Sequence, residues 1–129
     1  MDVMQEIVEL NATSATDSPQ DRLKKLEELW NRIPEPKTEA LNAFLVIEKA
    51  VAVCLKTNDL EQAWKWSQLT PQFSVIRHDV GEAEFLIGKV SFMRGDTETA
   101  KNNFQIANKK SKGKIFQGED PRFKALAKA

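Results

Sequence analysis

Apolar side chains recur every three or four residues along most of this 129-residue chain, and no stretch alternates apolar and polar residues as a strand does. Residues three and four apart share one face of a helix, so the spacing predicts an all-α fold. The predicted helices cover residues 18–33, 38–57, 59–70, 79–94 and 96–110, with a loose helix over the first ten residues and a short tail helix after Pro121.

Short polar side chains stand where most of these helices are predicted to begin. Serine and aspartate accept hydrogen bonds from the first free amides of a helix, and proline fits the first helical position. The prolines at 34 and 36 end the helix 18–33 and predict a stiff connector. The polar segment 11–17 is predicted to be a loop. The capping candidates are Ser18, Asp59, Asp79, Asp96 and Asp120.

The segment Leu41–Leu55 is the most apolar of the chain and raises the question of a membrane span. Glu48 and Lys49 interrupt it, and a span needs about 20 mostly uncharged apolar residues. A helix buried on most sides in a soluble core is therefore the preferred interpretation.

Residues 81–107 resemble one tetratricopeptide unit. Small residues let the two helices of such a unit approach, a glycine permits the tight turn, and an aromatic residue fills the seam. Two positions that are usually aromatic in the family hold Glu84 and Ser91 instead. The matching residues are Ile87, Gly88, Phe92, Gly95, Asp96, Ala100, Phe104 and Ala107.

The same frame aligns Asp59 with Asp96 and Ala63 with Ala100, an offset of 37 against a repeat of roughly 34 residues. The resemblance implies tetratricopeptide-like antiparallel helix pairs in a short right-handed superhelical array. We expect a single helical-repeat domain over 1–129. Its parts are an N-terminal helix and connector (18–37), a degenerate repeat (38–70), the best-matching repeat (79–110) and a C-terminal cap (111–129).

The segments 29–37 and 111–123, together with the central unit, are similar to small bacterial repeat proteins described as immunity proteins of polymorphic or contact-dependent toxins. The resemblance covers about residues 20–125. Where that group tends to have arginine and tyrosine in the ending, this chain has Lys114 and Phe123. The resemblance implies a protein that neutralises a cognate toxin by direct binding.

Composition and charge add little chemistry of their own. Apolar residues make up 41% and charged residues 29% of the chain, which is typical of a folded globular protein. Residues 1–60 carry eleven acids and seven bases, and residues 61–129 carry eight acids and twelve bases, so the halves are −4 and +4. The basic run 109–114 is interpreted as a solvated helix end, which makes a nucleic-acid partner the weakest hypothesis.

His78 and Cys54 are the only histidine and the only cysteine. His78 is expected in a solvated turn, and Cys54 in the most apolar helix is expected to be buried and inert. No motif for phosphate binding, zinc or a nucleophile is present, so we expect no catalysis, cofactor or metal. The acidic N-terminus and the single thiol favour a cytoplasmic location.

Binding is expected on residues of the first helix of each pair, which lines the concave surface in repeats of this type. Internal packing of Phe85 and Phe92, with the charges facing water, is the competing interpretation. A generic adaptor or assembly factor that binds a peptide or helix is the alternative function, and self-association is left open. The candidate partner-binding residues are Glu48, Lys49, Lys56, Glu82, Phe85, Lys89 and Phe92.

Overall fold

The computed structural model describes residues 1–13, 17–75 and 80–129, and these ranges contain helices and turns but no strand. The predicted all-α fold class is confirmed. No helix within these ranges is long and apolar enough to cross a membrane. The helices are α1 (Val3–Thr13), α2 (Pro19–Arg32), α3 (Ala43–Lys56), α4 (Leu60–Ser67), α5 (Glu82–Met93), α6 (Thr97–Ser111) and α7 (Pro121–Lys128), with 3-10 turns at Lys37–Glu39, Pro71–Val75 and Lys114–Phe116.

Two compact units divide the chain, Met1–Trp66 and Ser67–Ala129. The single domain expected over 1–129 stays a prediction, and each unit is described by itself. In the first unit α2 packs against α3, and each helix turns an apolar stripe inward. Its largest fully buried side chains include Ile7, Leu26, Leu29, Ile33 and Ile47.

The connector after α2 is held by a lysine. The Lys37 ammonium donates to the carbonyl oxygens of Trp30 and Ile33, each at 2.8 Å, and lies 5.1 Å from the Trp30 ring centroid. Trp30 lies in the last turn of α2 and Ile33 is its C-cap, so both carbonyls are at the helix end, where a cation is favoured. The Glu35–Pro36 peptide is cis. Lys37 therefore closes α2 at the point where the prolines end it.

Two helix boundaries differ from the predicted ones. The helix expected from about Thr38 begins at Ala43, because residues 37–39 close a 3-10 turn and Asn42 adopts a left-handed conformation with φ 68°. The loop predicted for residues 11–17 is wrong at 11–13, where α1 continues to Thr13, and residues 14–16 lie outside the described part of the chain. Asn11 accepts a hydrogen bond from Arg22, so its side chain does not compete for the helix backbone.

In the second unit α5 and α6 form an antiparallel pair joined by the turn at Gly95, whose φ is +81°. The helices approach closely at two glycines. A Cβ on Gly88 would lie 2.6 Å from the Phe104 ring, and a Cβ on Gly81 would lie 2.7 Å from the Cα of Ala107. Only glycine fits these crossing points without displacement of the neighbour.

A cluster of phenylalanine rings fills the space between α5, α6, α7 and the turn Lys114–Phe116. Phe104 is fully buried and stacks on Phe123 at 5.0 Å between ring centroids. Phe85 meets Phe104, Phe116 and Phe123 at 5.7, 5.4 and 6.0 Å. Aromatic pairs at such separations add stabilisation beyond their burial. The cluster joins the tail helix to the α5–α6 pair.

Four of the predicted caps are in place. Ser18 accepts from the amide of Asp21 at 3.1 Å and Asp59 from that of Gln62 at 3.3 Å. Asp96 accepts from the amide of Thr99 at 3.1 Å and Asp120 from that of Arg122 at 2.9 Å. The remaining predicted cap, Asp79, lies outside the described residues. The helix expected from residue 79 begins at Glu82, after Gly81 with φ 86°.

Candidate functional site

A groove of about 390 Å³ opens in the first unit between the start of α2 and the second half of α3; we call it the α2–α3 groove. Two of the predicted partner-binding residues, Lys49 and Lys56, line it. They are seven residues apart on one face of α3, which places their Cα atoms about 10.5 Å apart along the helix axis. The lining residues are Asp17, Pro19, Arg22, Lys49, Ala52, Val53 and Lys56.

The floor between the two lysines is apolar. Ala52 is exposed and Val53 is half-buried, and both stand one turn from a lysine on the same face of α3. Pro19 supplies a further apolar surface from the first turn of α2. The groove therefore combines a small apolar surface with basic side chains on both of its helices.

Basic side chains outnumber acidic ones in the α2–α3 groove. Asp17, its only acid, forms an ion pair with Lys25, and Arg22 donates a hydrogen bond to the neutral side chain of Asn11. Within the described ranges neither Lys49 nor Lys56 forms an ion pair. The groove therefore presents an excess of positive charge.

A second groove, of about 710 Å³, shares Pro19 and Val53 with the first and lies towards the end of α3. Its charged lining residues are Lys24, Glu27 and Asp59. Asp59 is engaged in capping α4, where it also accepts from the side-chain amide of Gln62 at 2.9 Å. Lys49 and Lys56 line only the first of the two grooves, and Glu27 and Asp59 line only the second.

Glu48 is the remaining candidate of the first unit. It is half-buried and does not line either of the two grooves described here. Its position beside Lys49 in the sequence places it about 100° around α3 from that lysine. The structure therefore brings Lys49 and Lys56 together and leaves Glu48 on another face.

The four other candidates belong to the second unit, where two are aromatic residues in internal contacts. Phe85 is only 6% exposed and belongs to the phenylalanine cluster. Phe92 is half-buried, meets the Phe123 ring at 5.4 Å and carries the Arg122 guanidinium 4.9 Å from its centroid. The internal packing considered as the alternative describes both rings.

Glu82 and Lys89 are half-buried on α5. The Lys89 ammonium lies 5.0 Å from the Phe85 ring centroid, so this lysine covers the aromatic cluster from outside. Neither residue is a member of the phenylalanine cluster. The spacing alone did not separate them from the inward-facing phenylalanines.

Sequence reasoning missed Arg22 and the apolar floor of the α2–α3 groove. Arg22 stands in the first turn of α2, three residues after Pro19, and its place opposite α3 depends on how the two helices pack. The periodicity of a single helix identifies which face is polar but carries no information about the helix opposite it. The basic residues of α3 were visible as polar interruptions of an apolar helix, and Arg22 had no such signal.

The single cysteine, the single histidine and the potential metal ligands were the candidates for chemistry. Cys54 is fully buried, and burial raises the pKa of its thiol to about 11, with smaller contributions from the negative charges of Asp59 and Glu27. A thiol with such a pKa is protonated at neutral pH and a poor nucleophile. His78 lies outside the described residues. Among the residues that the structure describes, no group of three His, Cys, Asp or Glu side chains is arranged to hold a metal ion.

Comparison with known proteins does not assign this chain to a family. No protein-family model matches the chain, and no curated protein matches its sequence.

Proposed function

We propose that this chain is a non-catalytic protein-binding module built on tetratricopeptide-like helix pairs, and that it is a cytoplasmic bacterial immunity protein that neutralises a cognate toxin by direct binding. The observation that carries the binding role is the α2–α3 groove, in which Arg22, Lys49 and Lys56 surround a small apolar floor. Mixed apolar and charged surface of this kind suits a specific protein partner.

The α5–α6 pair supports the tetratricopeptide-like scaffold. Gly88 lies against the Phe104 ring, and the fully buried Ala100 and Ala107 stand one turn to either side of that ring on α6. These are the packing roles that the sequence resemblance assigns to them. A rigid helix pair of this kind positions surface residues without using them for its own core.

The segments that resemble immunity proteins have structural tasks in this chain. Trp30 and Lys37 hold the connector after α2, and Phe116 and Phe123 belong to the phenylalanine cluster. If such segments maintain the scaffold, the surface residues are available to differ with each toxin. The lysines of α3 belong to neither of these two segments.

Neutralisation of this type requires tight binding and no reaction. The chain would cover the active site of the toxin or block a partner that the toxin needs. Basic side chains at an interface speed the encounter with a complementary surface and help to exclude wrong partners. A dedicated inhibitor profits from both effects, because it must capture a toxin before the toxin acts.

Affinity purification of the tagged chain from its native cells, followed by mass spectrometry, tests the proposal. We expect one dominant partner in equimolar amount, encoded beside this chain and toxic when expressed alone. Several unrelated partners that share an extended peptide or a helix would identify a generic adaptor instead. A preparation that contains only nucleic acid, and loses it as salt is raised, would also contradict the proposal.

A further inference from the structure

We infer that the α2–α3 groove is the docking site for an acidic helix or loop of the protein partner, which places two carboxylates against Lys49 and Lys56 and one apolar side chain against Ala52 and Val53. This inference rests on the proposed function, since it specifies the chemistry by which the partner is recognised. It adds Arg22 of α2 to the residues that receive the acidic segment.

The spacing of the lysines defines what fits. Their Cα atoms are about 10.5 Å apart along α3, a distance that two turns of a partner helix also span. A helix with acidic residues seven positions apart and an apolar residue between them presents the complementary pattern. The groove of about 390 Å³ lies towards the small end of the range of binding pockets and accommodates a few side chains.

The charge balance favours a carboxylate that belongs to a protein over the phosphates of a nucleic acid. Lys49 and Lys56 have no ion-pair partner within the described ranges, so an incoming carboxylate does not need to displace one. Residues 1–66 as a whole carry twelve acidic and eight basic side chains, a net charge of −4. A long polyanion that extends beyond the groove would meet this net negative charge, whereas a short acidic segment stays within the groove, where the one acid, Asp17, is paired with Lys25.

The experiment uses the full chain, isotope-labelled, and a short alanine-rich helical peptide with two glutamates seven residues apart and a leucine between them. At low salt we expect the peptide to shift the amide resonances of Arg22, Lys49, Val53 and Lys56, and the shifts to weaken as salt screens the charges. A peptide with lysines in place of the glutamates should cause no shift in the groove.

The variant that carries the test is Lys49→Glu with Lys56→Glu, which should weaken binding of the acidic peptide by about tenfold or more. Its matched control is Lys109→Glu with Lys124→Glu, an equal change of charge at two exposed helical positions of the second unit, with binding unchanged. Lys49→Gln with Lys56→Gln gives an intermediate loss and serves if the double reversal does not fold. Circular dichroism verifies the fold of each variant.

Three outcomes overturn the inference: no resonance shift in the groove with the acidic peptide, equal binding by the wild type and the Lys49→Glu, Lys56→Glu variant, or tighter binding of an oligothymidylate at the same residues. These outcomes are independent of the capture experiment. Failure to capture a toxin contradicts the immunity role alone, while a captured toxin that binds the charge-reversed variant as tightly as the wild type contradicts the groove alone.

Discussion

The contact between Gly88 and Phe104 makes the α5–α6 pair sensitive to a single added methyl group. In a Gly88→Ala variant the new Cβ would lie 2.6 Å from Cε1 and 2.7 Å from Cδ1 of the Phe104 ring, where ordinary contacts begin at 3.4 Å. The ring would have to retreat by roughly 0.8 Å. Phe104 is fully buried, with Phe85, Phe116 and Phe123 around it, so little space is available for that movement.

Two effects of opposite sign decide the size of the change. Alanine is the better helix former by about 1 kcal/mol, which favours the variant. Overpacking a well-filled core costs about 1–3 kcal/mol, and the enclosed ring places this site at the upper end. We therefore expect Gly88→Ala to lower the free energy of unfolding by about 2 kcal/mol.

The measurement is urea unfolding followed by circular dichroism. The three tryptophans, Trp30, Trp64 and Trp66, all belong to the first unit, so their fluorescence reports separately on that unit. The matched variant is Phe104→Leu, alone and together with Gly88→Ala. The double variant should be less destabilised than the sum of the two single changes by about 1 kcal/mol or more, because the smaller side chain admits the methyl group. A Gly88→Ala protein as stable as the wild type, or strictly additive effects, would refute the close approach.

Three further changes probe separate parts of the account. Burial holds the pKa of the Cys54 thiol at about 11, against 9.0 in the unfolded chain. The free energy of unfolding is therefore full below pH 9 and falls by about 2–3 kcal/mol between pH 9 and 11. In a Cys54→Ala variant, urea titrations at several pH values should show a smaller loss over this range. Lys37→Met removes the ammonium that donates to two carbonyls at the end of α2 and should lower the free energy of unfolding by about 2 kcal/mol, measured by tryptophan fluorescence in urea. Lys37→Arg keeps a charged donor and should be destabilised less. Hydrogen bonds from the side chain and amide of Thr99 hold the pKa of Asp96 below its ordinary 3.8, so the stability that this cap contributes is present above that pH and is lost as the pH falls. In Asp96→Ser, which keeps a cap without the charge, the thermal unfolding temperature should depend less on acid pH. An unchanged acid dependence would count against the cap.

The helices were predictable from the sequence because their signals are local. Ser18, Asp96 and Asp120 each accept a hydrogen bond from an amide two or three residues ahead, so the residue type and its position suffice. The start of α3 was predicted wrongly because the sequence carries no local signal for it. Nothing near Thr38 in the sequence indicates that Asn42 adopts a left-handed conformation and delays the helix to Ala43.

The candidate site was only partly predictable, because it depends on contacts between helices. Lys49 and Lys56 were visible as polar residues in an apolar helix, whereas Arg22 joins them only through the packing of α2 on α3. Phe85 illustrates the opposite case. Its spacing from Glu82 and Lys89 indicated a second stripe on α5, yet a ring placed beside α6 and α7 packs into their phenylalanine cluster.

The central claim is that the chain acts by stoichiometric binding, and a titration of the captured toxin's activity against the chain measures this directly. We expect residual toxin activity to fall linearly and reach zero at an equimolar ratio, with full activity recovered when the chain is removed under denaturing conditions and the toxin is refolded. Inactivation by much less than one equivalent that continues with time, or no inhibition at a large excess, would contradict the account.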